Sequence, residues 1–122
     1  MNILLQQTPN YSVGPTKKIA VVLHLTLGAY GGAVSWLSNA NRPNRSSSHY
    51  VIGRNQGEIV QLVKLTDVAW HAGVVSNPNE RARRIMLKNL DGSYVNPNQY
   101  TIGIELAAGY DVDRDGVVEA SE

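Results

Sequence analysis

Two polar side chains stand where apolar ones would be expected. His24 lies near the end of "IAVVLHLT" (19–26), with Thr26 beyond it on the same face. Glu105 follows "TIGI" in "YTIGIEL" (100–106). The first run is apolar on both faces and reads as a strand buried on both sides. The second reads as a buried strand too, with Ile102, Ile104 and Leu106 on one face and Gly103 and Glu105 on the other. A buried carboxylate is costly unless it is paired, hydrogen-bonded or put to use. An imidazole is a common zinc ligand, and a carboxylate beside a metal-bound water can take its proton. Taken alone, His24 reads as a hydrogen-bonded core histidine; Glu105 is what shifts the balance toward chemistry.

The chain has no cysteine. Disulfides, thiolate metal ligands and a cysteine nucleophile are therefore excluded, and any soft-metal site must use histidine and carboxylate. His71, in "AWHAG", sits beside Trp70; the pair is either a turn held by an aromatic contact or the wall of a ligand cleft. His49 opens a strand after three serines and has an obvious structural role, bonding to them. "ERARR" (80–84) reads as a solvated helix face, with contact to an anionic polymer as the alternative. The tail "DVDRDGVVEASE" (111–122) fits a calcium-loop template. Asp111, Asp113 and Asp115 fall at its first three ligand positions, then Val117, Glu119 and Glu122. The alternative is an Asp-Gly turn before a helix.

These residues need elements to hold them. Residues 1–18 are turn-rich and are expected to wrap the surface. A strand covers 19–26, and a short amphipathic helix follows a Gly-rich break, with Ala33, Trp36, Leu37 and Ala40 inward. "HYVIGRNQGEIVQLV" reads as a hairpin whose turn needs a positive φ at Gly57. A second helix begins with Asn77 as cap and Pro78 at its first position, with Ala82, Ile85, Met86 and Asn89 inward. A strand over 100–106 closes the series. Strand, helix, hairpin, helix, strand predicts an α/β fold with a mixed sheet. Sites in such sheets gather at the carboxyl ends of strands, where His24 and Glu105 both lie.

The chain of 122 residues suits one domain, and its 43% hydrophobic content is globular. A net charge of +1 argues against nucleic acid as the main partner. No run approaches the length of a membrane span, and the N-terminus lacks the basic start and apolar core of a secretion signal. The expectation is a protein made in the cytoplasm, without a membrane partner.

Four motifs occur in series: "VVLHLT", "SSSHYVIGRNQGEIVQLV", "DVAWHAG" and "YTIGIEL". Together they resemble the zinc-dependent N-acetylmuramoyl-L-alanine amidases of the Amidase-2 family, related in fold to the peptidoglycan recognition proteins. "GGAVSWLSNANRPNRSSSHYVI" resembles the phage endolysin branch. The likeness covers about residues 8–109. It implies a mixed central sheet flanked by helices and a single domain over 1–122 that is incomplete at its C-terminal end. It implies hydrolysis of the amide between N-acetylmuramic acid and L-alanine of peptidoglycan, hence action on the bacterial cell wall. By position, His24 matches the first zinc ligand, and Glu105 matches the acid that activates water. Trp70 and His71 match the loop lining the substrate cleft. His49 and Tyr50 match the hairpin start that supports the site, and with Trp70 and His71 they are the expected substrate-binding residues.

One departure stands out. The family supplies a second zinc histidine and an Asp or Cys near the C-terminus, and this chain shows neither. Three readings follow. The chain is completed by a missing segment or a separate polypeptide, or it binds peptidoglycan without cutting it, or His24, His49 and His71 hold a metal together.

Overall fold

The computed structural model describes residues 2–14 and 17–107. Its elements are β1 (Leu4–Leu5), β2 (Tyr11–Ser12), β3 (Ala20–Thr26), α1 (Tyr30–Leu37), β4 (Tyr50–Ile52), β5 (Ile59–Gln61), β6 (Val68–Ala69), α2 (Glu80–Arg83) and β7 (Thr101–Ala107). A 3-10 turn at Pro97–Gln99 leads into β7. The main sheet has the order β1-β5-β4-β7-β3, and β2 pairs with β6 apart from it. β3, β7 and β4 are parallel, while β4 and β5 form the antiparallel hairpin. This is the mixed α/β sheet expected. Gly57 does take the positive φ, 86°, in the hairpin turn. Among the described residues no helix is long and apolar enough to cross a membrane.

One face of the sheet is covered. α1 lays Ala33 and Leu37 against it, and these pack with Val51, Val60, Leu62, Val63, Ala69 and Ala107. The other face corrects the expectation for the first strand. β3 is an edge strand, and Val21, Leu23 and Leu25 point outward with 56%, 64% and 66% of their surface exposed. The sequence shows that both faces are apolar; it cannot show whether anything lies over the second.

The helices are shorter than their periodicity suggests. Trp36 is 59% exposed on α1, not part of its inner stripe. α2 is a single turn capped by Asn79, whose side chain accepts from the Ala82 amide; Asn77 lies outside it. Ile85 is exposed, and no residue of α2 is buried. Arg81, Arg83 and Arg84 are exposed, as a solvated face requires, and Arg84 pairs with Glu80 at 2.7 Å.

The first eighteen residues do more than wrap the surface. β1 extends the main sheet and β2 pairs with β6. Between them, Asn10 is fully buried. Its Nδ2 donates to the carbonyls of Leu37, Asn39 and Ser46, and its Oδ1 accepts from Arg45 Nε at 2.7 Å. Thr8 Oγ1 also donates to the Leu37 carbonyl, at 2.8 Å. Together they satisfy the open end of α1. Asn10→Ala is expected to cost about 2–3 kcal/mol, because it strands buried carbonyls. Urea unfolding should show a lower midpoint at unchanged slope; an unmoved midpoint would refute the role.

Candidate functional site

Parallel register brings His24 and Glu105 side by side. They are direct partners across β3 and β7, so their side chains leave the sheet on the same face. The alternation of the strand adds Thr26, whose hydroxyl donates to Glu105 Oε2 in a short hydrogen bond. The carboxylate is thus oriented by a neighbour two residues from the histidine. A cleft of about 520 Å³ opens here between the strand ends and α1. Thr26, Glu105, Gly32, Trp36 and Ser46 are among its walls. Arg42 stacks its guanidinium 3.4 Å from the Trp36 ring centre and donates to Ser46 Oγ.

His71 joins His24. Its Nδ1 lies 3.0 Å from His24 Nε2, with the rings edge to face. The "AWHAG" loop is pinned by Asn98, whose Oδ1 accepts from the amides of His71 and Ala72. Ser47 fixes the other side, accepting from the Trp70 amide. The imidazole of His71 then rests on β7 above Gly103. A Cβ at that position would come within 2.4 Å of the ring, so the strand must be glycine here.

His49 lies beneath. It is fully buried. Its Nδ1 accepts from the Gly103 amide at 3.0 Å, and its Nε2 donates to the Asp67 carbonyl at 3.2 Å. Both ring nitrogens are taken by the protein. It does not bond the preceding serines, and it can neither line a substrate cleft nor ligate a metal. Among the described residues no group of three His, Cys, Asp or Glu side chains could hold a metal, which removes the three-histidine reading. Tyr50 is in register with Ile104, on the face opposite Glu105, so it too is turned from the cleft. Trp70 lines a separate hollow with Ser12, Asn96 and Asn98, and its Nε1 donates to Ser12 Oγ. Of the expected substrate-lining residues, only His71 reaches the His24–Glu105 group. The calcium-loop residues Asp111, Asp113, Asp115, Val117, Glu119 and Glu122 lie outside the described residues.

The burial of these rings has a pH consequence. Desolvation, then the nearby His24 and His49, push His71 down from 6.5 to about 4. Desolvation also lowers His49. Both fold as neutral rings. Above the unfolded value neither folded nor unfolded chain is protonated, so no penalty arises. As pH falls below it, the unfolded chain binds protons that the folded chain refuses, and stability drops until about pH 4. With allowance for the partial solvent exposure of His71, the loss is about 2 kcal/mol. Urea midpoints measured from neutral pH downward should fall through this window; a flat profile would refute neutral burial.

Strand alternation places Thr26 and Gly103 on these faces, but nothing in the sequence marks their roles. Of the other two groups that hold His71, Thr101 lies within "YTIGIEL" but shows no role there, and Asn98 carries no motif.

Comparison with known proteins agrees with this geometry. The model of the Amidase-2 family, N-acetylmuramoyl-L-alanine amidase, matches residues 15–121. N-acetylmuramoyl-L-alanine amidase A of Achromobacter lyticus is 33% identical over 96 residues, covering 79% of this chain and 41% of that protein. A selenomethionine derivative of AmpD superposes with a TM-score of 0.56 at 25% identity, over 91% of this chain and 66% of that one. A mutant endolysin from Bacillus subtilis shares the fold, with a TM-score of 0.56 at 21% identity over 91% and 64%. The chain thus spans less than half of the curated relative and about two thirds of the solved ones. By the extent of the family match, which spans residues 15–121, the chain belongs to the Amidase-2 family of N-acetylmuramoyl-L-alanine amidases.

Proposed function

We propose that this chain carries the substrate-facing half of a zinc-dependent site that hydrolyses the amide between N-acetylmuramic acid and L-alanine in peptidoglycan. The observation that carries the reading is the adjacency of His24 and Glu105 at the strand ends, beside an open cleft. His24 offers zinc an imidazole nitrogen, since its Nδ1 has no hydrogen-bond partner among the described residues, and Glu105 stands beside it as an oriented carboxylate. Zinc, when bound, supplies the Lewis acidity that polarises a carbonyl and acidifies water. Glu105 takes the proton of the attacking water and returns it to the leaving amine. Thr26 holds the carboxylate in place for both transfers. Trp36 and the aliphatic wall of the cleft receive the glycan or peptide beside the scissile bond.

The remaining metal ligands come from outside the described residues. Following its endolysin-like branch, the protein is made in the cytoplasm and acts on the bacterial wall. One observation favours a second reading, a wall-binding module without activity: the absence of a three-ligand group among the described residues. Purified sacculi decide between them. Chelator-sensitive release of stem peptides supports the amidase, whereas binding without release supports the module.

A further inference from the structure

We propose that His71 is a positioning residue that fixes the tautomer of His24, so that His24 meets the metal through Nδ1. Thr101 is buried, and its hydroxyl has one hydrogen, which it donates to the Pro97 carbonyl at 2.7 Å. Its second contact, with His71 Nε2 at 3.0 Å, must therefore be a bond that His71 donates. A neutral imidazole protonated at Nε2 has a bare lone pair at Nδ1. That lone pair faces His24 Nε2 at 3.0 Å. Two bare nitrogens would repel at this separation, so His24 Nε2 carries the hydrogen and donates it. His24 Nδ1 is left bare, and it has no partner among the described residues.

The chain of bonds is rigid at its far end. Asn98 holds the His71 backbone, Thr101 holds Nε2, and Gly103 leaves room for the ring. Ligating histidines commonly donate their second N–H to a fixed acceptor, and loss of that acceptor weakens metal binding about 10–100-fold. Here the acceptor is another imidazole, whose own tautomer is set by a threonine. The proposal rests on the zinc reading of His24 for its second half only.

Nitrogen-15 NMR of the metal-free protein at about pH 8, where an ordinary imidazole is neutral, tests the first half. His24 and His71 should both show a protonated Nε2 and a bare Nδ1. Added Zn²⁺ should shift the His24 Nδ1 signal and leave its Nε2–H in place. In Thr101→Val, the loss of the acceptor should mix the His24 tautomers and lower zinc affinity by about 10–100-fold in calorimetry. Thr101→Ser should restore both. A His24 protonated at Nδ1 in the wild-type protein overturns the positioning role, and that spectrum needs no variant to fold. The stated tautomer with no zinc uptake overturns the zinc reading instead, and with it the Nδ1 contact.

Discussion

Glu105→Gln is expected to lower release of stem peptides from sacculi by at least about 10²-fold, with little change in substrate binding. The amide has the size of the carboxylate, and its oxygen can still accept from Thr26, so the side chain keeps its place. What it cannot do is take a proton. The loss should therefore fall on kcat and leave KM near its wild-type value, the signature of an interaction made in the transition state. Zinc calorimetry on the same variant separates this from metal loss, since a water-activating carboxylate need not ligate. Wild-type kcat in the variant would remove Glu105 from the chemistry. A lost kcat that saturating Zn²⁺ restores, together with lowered zinc affinity, would make it a ligand.

The sequence makes the central arrangement legible because strand alternation is rigid. Once β3 and β7 are recognised, His24 and Thr26 must share a face, as must Gly103 and Glu105, and a parallel pairing places them together. The carboxyl-end rule then gives the location of the cleft. What the sequence hides is whatever depends on contacts between distant segments. The N-terminal strands are two residues each, too short for any periodic signal, and Asn10 is buried only because Arg45 and three carbonyls surround it. His49 has the residue type of a ligand, and only the bonds at both nitrogens show that it is structural. Tyr50 follows it by one residue and so points to the opposite face, a consequence of the two-residue period that motif matching ignores. The outward apolar stripe on β3 is visible as hydrophobicity but not as exposure. Trp36 sits at helical spacing with Ala33 and Leu37, yet α1 ends at Leu37 and turns the indole to the cleft.

Gly103→Ala is expected to destabilise the fold and disconnect His71 from His24 in one step. In most strands this substitution is mildly favourable, by about 0.4–1 kcal/mol, because it restricts the unfolded chain. Here the new methyl would lie 2.4 Å from His71 Cγ, 2.7 Å from Cδ2 and 2.8 Å from Nδ1. The ring cannot swing away cheaply, since Thr101 holds its Nε2 and Asn98 holds its backbone. Overpacking of this kind costs about 1–3 kcal/mol, and the upper end applies when hydrogen bonds break with it. Gly103 also donates its amide to His49 Nδ1, so a shift of the strand spreads to the buried ring below. The physical cause can be isolated with a double-mutant cycle. His71→Ala removes the clashing ring, and adding Gly103→Ala to it should then cost little or even stabilise. Urea unfolding of the two single variants and the double variant should therefore show strong non-additivity. Additive losses would mean that the backbone of β7, and not the imidazole above it, is what requires glycine.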